Sequence, residues 1–423
     1  MKTPKEVAWE NLNYKKFSLK KNSFYKIIFL ILNLLFFFIN FFFRLRIGLL
    51  NFQKIGQTLG NLEYYLRSKK YYKIKSKNFL SNLYFDIFIF DNSFNAQIYK
   101  MYKRRIFIIK NKIILKFLNY LKTHTRSNKI WIDTLNTGWL RGRSWSSISS
   151  QVNFTANEVS QGNKILENIG IIKGSQYVCI FAKDQNYKDN VDKKNIISSF
   201  WKKNDFRNCN INNYEYAVKY LTSKKIYVIR FALNEKVEKI KFRTNKYFID
   251  YAADIRKKIK DKDFADVYIA ANCKFFLGCT SGVYLLSSIF NVPIAYTNLI
   301  PYGECGRKNT DLFIYKKIKH LKNKKFLSIS EVLNEVLNLD WIDEKKLKMY
   351  YNYLKFYENT KSEIKFLAIE MNKKIDKNWI LKKDEKYLKN KFANLLNVKC
   401  FDGSSFPSEV GYFFIKKNKY LLK

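Results

Sequence analysis

The stretch "DVYIAANCKFFLGCTSGVYLLSSIFNVPIAYTN", residues 266 to 298, decides the fold class. It reads as the end of a helix, a short apolar strand, a small polar turn, a second helix and a second strand. Helices that alternate with buried strands indicate parallel strands joined by helical crossovers. The stretch therefore predicts a doubly wound, Rossmann-like α/β sheet in which residues 279 to 282 follow the carboxyl end of a strand.

The same alternation begins earlier in the chain. "QYVCIFAK" (176 to 183) and "IYVIRFA" (226 to 232) are continuous apolar runs typical of buried strands. Two amphipathic helices are indicated by apolar residues at i, i+3, i+4 and i+7: Tyr214, Ala217, Val218 and Leu221, and then Phe264, Val267, Tyr268 and Ala271. We therefore predict three strand-helix repeats, with "VPIAYTN" (292 to 298) as the last strand.

The composition indicates a globular protein with room for two or three domains. The chain has 423 residues, of which 47% are hydrophobic and 17% aromatic, and its formal net charge is +44. Such a charge attracts polyanions and anionic membrane surfaces without a specific site. Because the lysines are spread along the whole chain and no basic-aromatic motif occurs, we predict no specific nucleic-acid partner.

Cysteine and histidine usage restricts the metal and redox chemistry. The six cysteines contain no CxxC pair, and several fall inside strand-like runs, so we predict buried thiols rather than disulfides. Only His124 and His320 occur, which excludes a His-rich zinc site. No GxGxxG and no P-loop sequence is present, so we expect neither a dinucleotide cofactor of the Rossmann type nor a P-loop nucleotidase.

An apolar segment near the N-terminus, "FYKIIFLILNLLFFFINFFFRLR" (24 to 46), is the strongest departure from average composition. Its uncharged run from Ile27 to Phe43 is at the lower edge of the length that spans a bilayer. Positive residues flank it on both sides, so the positive-inside rule gives no orientation. We favour a helix in or beside the cytoplasmic leaflet over a single span, and a buried core helix remains the third possibility.

The predicted organisation has five parts. They are a basic tail (1–23), an apolar membrane-associated helix (24–50), an N-terminal α/β domain (51–160), a C-terminal Rossmann-like domain (161–325) and a helical closing segment (326–423).

The turn at Thr280, Ser281 and Gly282 is the first candidate site. In an open parallel sheet, ligands bind beyond the carboxyl ends of the strands. Two hydroxyls, a glycine and the first amides of a helix suit a phosphate group. The competing interpretation is an ordinary helix N-cap, which Ser and Thr commonly provide.

Several charged residues follow the predicted strands of the same domain. Lys183 and Asp184 end the first strand, Arg230 lies near the end of the second, and Arg207 and Asn208 lie on the loop between them. Three cations beside a helix N-terminus favour a diphosphate ligand. An Asp-x-Asp sequence at residues 261 to 263 is predicted to begin a helix rather than to bind a metal, because acidic residues stabilise helix starts.

These residues carry a resemblance to a known family. The segments "YVCIFAKDQNY", "DFRNCNINNYEYAVKYL", "IDYA", "DFADVYIAANCKFFLGCTSG" and "YENTKSEIKFLAIEM" resemble a family of bacterial glycosyltransferases encoded with surface-polysaccharide genes. The segments "KIGQTLGN" and "NAQIYKMYKR" fit its N-terminal part, and the similarity runs from about Arg44 to the end of the chain.

The resemblance implies a GT-B architecture, with two facing Rossmann-like domains and the nucleotide sugar held by the second. It implies sugar transfer without a metal or other cofactor, from a nucleoside-diphosphate sugar to a hydroxyl of a glycan or glycolipid acceptor in surface polysaccharide or lipopolysaccharide biosynthesis. Together with the apolar helix and the net charge, it implies an anionic membrane surface as a partner. The expected location is the cytoplasmic face of the inner membrane, peripheral or anchored by one helix.

The family's binding residues carry over onto named positions of this chain. Its Arg-Asp-x-x-Tyr motif falls on Lys183, Asp184 and Tyr187, its Asp-Tyr-Arg-Asn motif on residues 205 to 208, and its Ser-Gly on Ser281 and Gly282. Lys183 keeps the charge of the family's arginine but loses its forked donor geometry.

The acceptor-side loop of the family carries the second departure. It reads Ile-Gly-His, whereas this chain has Gly56 and then Gln57, and an amide does not take a proton near neutral pH. Glu63 and Asp91 are the remaining candidates for the base. The alternative is a catalytically impaired, membrane-associated scaffold with a transferase fold.

Overall fold

The computed structural model describes most of the chain and divides it into two compact units, Met1–Gly138 and Trp139–Lys423. The described residues are 23–50, 55–75, 84–90, 95–125, 129–132, 143–184, 205–233, 237–300, 302, 306, 308–336, 344–397 and 407–423. The predicted boundary between the two α/β domains lay later in the chain, at 160/161. Residues 143 to 160 include α5 (Arg143–Ser147) and the start of α6 (Ala156–Asn168), and both belong to the second unit.

The first unit contains a four-stranded parallel sheet in the order β3-β2-β1-β4. Its strands are β1 (Leu45–Leu50), β2 (Phe85–Phe90), β3 (Phe107–Lys110) and β4 (Trp131–Ile132). Its helices are α1 (Ser23–Phe43), α2 (Ile55–Lys75), α3 (Ala96–Lys103) and α4 (Lys112–His124). Asn95 and Asn111 begin α3 and α4, because each side chain accepts hydrogen bonds from amides of the first turn.

The two faces of this sheet are covered by different helices. On one face, Phe36 of α1 and Leu115 and Leu121 of α4 share a core with Leu49 and Ile89 of the strands. On the other face, α2 and α3 enclose a small apolar cavity of about 20 Å³ against β1, β2 and β3. Side chains alternate between these faces along each strand, as the period of a β-strand requires.

Helix α1 is buried on one side and exposed on the other. Phe36 is buried against Trp131, with ring centroids 5.5 Å apart, and Asn40 is buried with its Nδ2 donating to the carbonyl of Leu45 at 2.8 Å. The rest of its surface carries exposed Leu, Ile and Phe side chains. The side of α1 that includes Phe36 and Asn40 therefore faces the protein, and its outer surface is apolar.

The second unit contains a seven-stranded sheet in the order β13-β10-β9-β8-β5-β6-β7, with every pair parallel. Its strands are β5 (Tyr177–Phe181), β6 (Tyr227–Arg230), β7 (Phe248–Ile249), β8 (Phe276–Gly278), β9 (Ile294–Leu299), β10 (Leu312–Tyr315) and β13 (Glu409–Val410). The helices after α6 are α7 (Glu215–Ser223), α8 (Lys262–Ala271), α9 (Leu285–Ser288), α10 (Ile329–Val336), α11 (Glu344–Tyr353), α12 (Lys361–Ile375), α13 (Glu385–Leu396) and α14 (Tyr412–Lys417).

The predicted strand-helix repeats of this unit are confirmed, but both edges of the sheet have strands that were not predicted, and β7 is the one beside β6. The strands of β5, β6, β8 and β9 and the helices α7 and α8 all lie where their patterns placed them. The sheet does not end at β9, however, because β10 and β13 add two further parallel strands beside it. The mostly helical closing segment thus contributes a strand to the sheet, and a separate antiparallel pair, β11 (Lys317–His320) and β12 (Leu354–Tyr357), precedes α12.

Helix α12 is fixed to the sheet by the segment "YENTKSE". Thr360 and Glu363 form a reciprocal capping box at its start, and Glu363 also accepts two hydrogen bonds from Lys317 Nζ. Asn359 is buried and donates its Nδ2 to the carbonyl of Tyr315 at 2.8 Å. The part of the family resemblance that lies here is explained by packing of the C-terminal helix.

Candidate functional site

The strand order of the second unit reverses between β5 and β8. From β5 the chain proceeds outward through β6 and β7, then returns to the opposite side of β5 with β8 and continues to β9 and β10. The connections after β5 and β8 therefore leave the sheet in opposite directions. A crevice opens at such a switch point, and this is where ligands bind in open parallel sheets.

A cluster of charged residues lies beyond the end of β5. Lys183 Nζ lies 2.7 Å from Asp205 Oδ2 and 3.1 Å from Asn208 Oδ1. Arg207 grips the same carboxylate with Nε 2.9 Å from Oδ1 and Nη2 2.7 Å from Oδ2. The structure thus brings together Lys183, Arg207 and Asn208, three of the residues proposed from the sequence, around Asp205.

Asp205 is ionised at neutral pH. Burial alone would raise the pKa of its carboxyl, but the guanidinium of Arg207 and the ammonium of Lys183 outweigh that effect and hold the pKa well below the usual range. The Asp205 side chain is 4% exposed, whereas that of Arg207 is 33% exposed. The Arg207 side chain is therefore the part of this pair that is open to solvent.

Lys316 is a cation of this site that the sequence patterns did not indicate. Its residue is buried, and its Nζ donates to the carbonyl of Asn208 at 2.6 Å. Glu358 lies on the same side and accepts from the amide of Asn210 at 2.9 Å. The only sequence signal for Lys316 was its position just after an apolar strand-like run, which many surface lysines share.

The turn after β8 contains hydroxyls that are already hydrogen bonded. Thr280 Oγ1 accepts from the amide of Ile300 at 3.3 Å, and Ser281 Oγ accepts from the amide of Val283 at 3.4 Å. Ser281 is the N-cap of a short 3₁₀ turn, Gly282–Tyr284, that leads into α9. The geometry therefore supports the helix-cap interpretation for Ser281, while the turn still borders the crevice at the switch point.

A sulfur atom joins this turn to the charged cluster. The amide of Lys183 donates to Cys279 Sγ at 3.1 Å, and the amide of Cys209 donates to the carbonyl of Lys183 at 2.8 Å. Burial raises the pKa of the Cys209 thiol, which hydrogen bonds to Cys279. For Cys279, burial is outweighed by the bonds from Cys209 and from the Lys183 amide, so its pKa is lowered. The four described cysteines are buried thiols, as predicted.

Arg230 and Asp184 were expected to face the crevice, but both bond to the segment around Glu238. Arg230 is buried, with Nη1 3.0 Å from Asp250 Oδ2 and Nη2 bonded to the carbonyl of Glu238. Asp184 Oδ2 accepts from the amide of the same Glu238 at 2.8 Å. The expectation that Arg230 faces the crevice is thus corrected: both residues hold the segment around Glu238 against the ends of β5 and β6.

The Asp-x-Asp sequence begins a helix, as predicted. Asp261 is the N-cap of α8, and its Oδ1 accepts from the amide of Phe264 at 3.0 Å. Among the described residues, no group of three His, Cys, Asp or Glu side chains is placed to hold a metal ion.

The acceptor-side candidates of the first unit are not in a loop. Gly56 and Gln57 lie in the first turn of α2, which corrects the predicted loop; the Gln57 side chain and the whole of Asp91 lie outside the described residues. Glu63 is fully buried, with Oε1 2.8 Å from Arg67 Nε and Oε2 accepting from Tyr102 OH at 2.9 Å. A carboxylate sealed in this way stabilises the core and does not reach an acceptor hydroxyl.

Two buried asparagines at the end of β9 were also not indicated by the sequence. The amide of Asn298 donates to Asn359 Oδ1, and the amide of Asn359 donates to Asn298 Oδ1 at 2.7 Å. Asn298 has a φ of 49°, in the left-handed region. Its Nδ2 is buried without a hydrogen-bond partner among the described residues.

A larger cavity belongs to the first unit. It has a volume of about 360 Å³ and is lined by Arg46, Tyr65, Tyr84, Lys129, Trp131 and Ile132. Arg46 is bonded to Asp86 and Tyr65 and lies 4.4 Å from the centroid of the Tyr84 ring. These groups lie near the amino ends of β1 and β2, the opposite end from the one where parallel sheets bind ligands.

In the part of the chain that the structure describes, no helix combines the length and hydropathy needed to cross a membrane.

Comparisons with known proteins give similarity to solved structures but to no family model or curated sequence. Among solved structures, the chain is similar to the glycosyl transferase family 9 protein from Veillonella parvula DSM 2008, at 6% identity and a TM-score of 0.36. That similarity covers 60% of this chain and 79% of the other.

Proposed function

We propose that this protein transfers a glycosyl group from a nucleoside-diphosphate sugar to a hydroxyl of a glycan or glycolipid acceptor. One observation carries the proposal: Lys183 and Arg207 converge at the switch point of a doubly wound parallel sheet. A diphosphate is the ligand class that suits two cations at this position, because its charge is concentrated and its oxygens accept several hydrogen bonds.

Each residue of the cluster has a distinct part in the proposed reaction. Arg207 is the most exposed of the three charged groups, so the side of its guanidinium that is not bonded to Asp205 contacts the diphosphate. Lys183 is more buried and adds positive charge behind Arg207, and Asp205 positions both cations. The bond from the anomeric carbon to the diphosphate oxygen breaks, and a bond from that carbon to the acceptor oxygen forms. The proton of the acceptor hydroxyl passes to the leaving diphosphate or to water, and the cations stabilise the negative charge on that diphosphate.

The setting of the reaction is part of the same proposal. The resemblance of residues 44 to 423 to bacterial glycosyltransferases supports a GT-B architecture, with the donor bound by the second unit and the acceptor by the first. The apolar surface of α1 supports a peripheral position on the cytoplasmic face of the inner membrane. Surface polysaccharide or lipopolysaccharide biosynthesis is the proposed pathway.

A second candidate function is a scaffold that binds the donor without turnover. It is favoured by Gln57, which stands where the resembled family has histidine, and by the burial of Glu63. Donor binding without release of the nucleoside diphosphate would identify this second function.

The test is calorimetric titration of the full chain with UDP, GDP and their common sugar conjugates. Charged hydrogen bonds are each worth about 1.5–3 kcal/mol, so Arg207→Ala should weaken binding by roughly 10- to 100-fold. Lys219→Ala is the matched control, because Lys219 is 56% exposed on α7 and pairs only with Glu215 among the contacts described for it.

Two results would overturn the proposal. One is a folded protein that binds none of these nucleotides. The other is an Arg207→Ala variant that binds the donor as tightly as the Lys219→Ala control.

A further inference from the structure

The outer side of α1 is an apolar surface. Its exposed large side chains are Ile27, Leu30, Ile31, Leu34, Leu35, Phe37, Phe38, Phe41, Phe42 and Phe43. Exposed contiguous apolar surface of this kind marks a site of interaction with a protein or a membrane.

Helix α4 lies on the same face of the sheet as α1. Phe36 of α1 and Leu115 of α4 belong to one buried cluster with Leu49 and Ile89. Because both helices bury their inner sides against one sheet face, their outer sides point away from it in the same direction.

The outer side of α4 extends the apolar surface and adds charge to it. Ile113 is 79% exposed and Phe117 is 57% exposed. Lys112 and Lys116 are exposed beside them. Apolar side chains interleaved with lysines are typical of helices that lie in the interface of an anionic membrane.

The starts of two strands continue this surface. Phe85 and Phe107 are each more than half exposed, with ring centroids 5.9 Å apart. They fall on the same side of their strands as Ile87 and Ile109, which pack against the α1 and α4 core. These two rings therefore face the same direction as the outer sides of the helices.

The exposed charge of this surface has one sign. Asp86, in the start of β2, lies on the other face of the sheet, where its side chain is 7% exposed and pairs with two cations. No acidic residue occurs in α1, and none occurs between Asp91 and Asp133, a stretch that includes α3, β3 and α4. The buried carboxylate Glu63 belongs to α2, on the other face of the sheet. The apolar surface is thus bordered by cations and complements a negatively charged partner.

We propose that α1, α4 and the starts of β2 and β3 form a single docking surface that lies flat in the interface of an anionic lipid bilayer. Whereas the anchor considered above was α1 alone, this surface has two helices and two strand starts. A second copy of the chain fits it less well, because pairing this surface with itself would bring lysines against lysines. The proposal does not depend on the donor chemistry of the second unit.

The experiment is flotation of the full chain with vesicles of phosphatidylcholine and phosphatidylglycerol. The double variant Ile113→Glu/Phe117→Glu should lower vesicle partitioning by roughly 10- to 100-fold, because two inserted apolar side chains are lost and two anions are added. Lys112→Glu/Lys116→Glu should weaken binding to these vesicles by roughly tenfold or more, because each lysine near the surface contributes about 1 kcal/mol.

Two matched controls carry the same kind of substitution elsewhere. Ile74 of α2 is 69% exposed on the opposite side of the sheet, and Ile172 is 67% exposed in the second unit. Ile74→Glu and Ile172→Glu should partition within about twofold of the unaltered chain. Melting temperatures of all variants should stay level, because every substituted side chain is exposed.

Three outcomes would overturn the proposal. The first is unchanged partitioning of Ile113→Glu/Phe117→Glu when Phe41→Glu/Phe42→Glu abolishes it, which would confine the contact to α1. The second is equal binding to vesicles of phosphatidylcholine alone. The third is a dimer in sedimentation that the α4 variant dissociates while vesicle binding stays intact, which would make this surface an interface between copies of the chain.

Discussion

The two parallel sheets of this protein are covered to different degrees. In the second unit, every residue of β5, β6, β8, β9 and β10 is buried. In the first unit, β1 and β2 are buried only in their carboxyl halves, and β3 is exposed at both ends. Both units bury ion pairs, such as Glu63–Arg67 in the first and Arg230–Asp250 in the second, but the second unit also has a charged cluster beyond the carboxyl end of β5.

This difference shows that the covering of a sheet's faces decides where polar and apolar groups are exposed. A sheet that is buried on both faces leaves only its carboxyl edge for polar ligands. A sheet that is incompletely covered leaves apolar side chains facing outward, and these need a partner. The first unit therefore leaves apolar side chains exposed, and the second leaves polar groups at the carboxyl edge of its sheet.

The largest expected effect is in the sealed ion pair of the first unit. Glu63→Ala leaves Arg67 buried without its carboxylate, and breaking a buried pair costs about 3–5 kcal/mol of the free energy of unfolding. Hydrogen exchange of the β1 and β2 amides measures the opening of this unit. The double variant Glu63→Leu/Arg67→Leu should recover much of the loss, because it removes both charges.

A single variant Glu63→Ala with stability close to that of the double variant would contradict this account. It would mean that Arg67 finds other compensation and that the core of the first unit does not depend on the pair.

A close backbone contact in the second unit gives the next effect. A Cβ at Gly162 would lie 2.3 Å from the ring of Tyr268, so Gly162→Ala forces α6 away from α8 and should cost roughly 1–3 kcal/mol. Thermal unfolding measures it, with Lys164→Ala on the exposed side of α6 as the control. Equal melting temperatures for the two variants would show that α6 is not packed as tightly as described.

The charged cluster should make the free energy of unfolding decrease at acid pH. The folded pKa of Asp205 lies below its unfolded value near 3.9, so its carboxylate stabilises the fold above about pH 4, and this contribution is lost as the pH falls toward the folded pKa. Against Asp205→Asn, the unaltered chain should be more stable by about 2 kcal/mol at pH 7. This advantage should shrink steadily below pH 4. A difference that is independent of pH would refute the ion-pair account.

The smallest effect is expected at the turn after β8. Ser281 Oγ accepts a long bond of 3.4 Å from the amide of Val283, so Ser281→Ala should cost less than about 1 kcal/mol. Thr360→Ala, which removes half of a complete capping box, is the comparison and should cost about 1 kcal/mol. A larger loss at Ser281 would mean that the cap organises the switch-point crevice as a whole.

Local patterns predicted the centre of the second unit well. Its central strands are buried on both faces and therefore appear in the sequence as continuous apolar runs. The periodicity of residues 214 to 221 and 264 to 271 was sufficient for α7 and α8. The strands β7 and β13 were missed, because two residues are too few to show a period, and β10 was missed although its four residues are apolar. The loop expected at Gly56 and Gln57 came from the acceptor-side loop of the resembled family, whereas in the structure both residues lie in the first turn of a helix.

The sequence predicted which residues form the candidate site better than it predicted their hydrogen-bond partners. Lys183, Arg207 and Asn208 were expected near one another, and the structure brings them together around Asp205. The ion pair between Arg230 and Asp250 was not predicted, because the sequence does not show which carboxylate a buried guanidinium pairs with. Only the folded chain sets that partner.

The sequence by itself determined the alternation of helices and strands, the excess of positive charge and the apolar character of residues 27 to 43. Each of these properties depends only on residues that are close together in the sequence. The tertiary structure decided which stripe of α1 is buried, which cations meet at the end of β5 and which carboxylate is sealed from solvent. These depend on distances between residues remote in sequence, which arise only when hydrophobic burial brings the elements together.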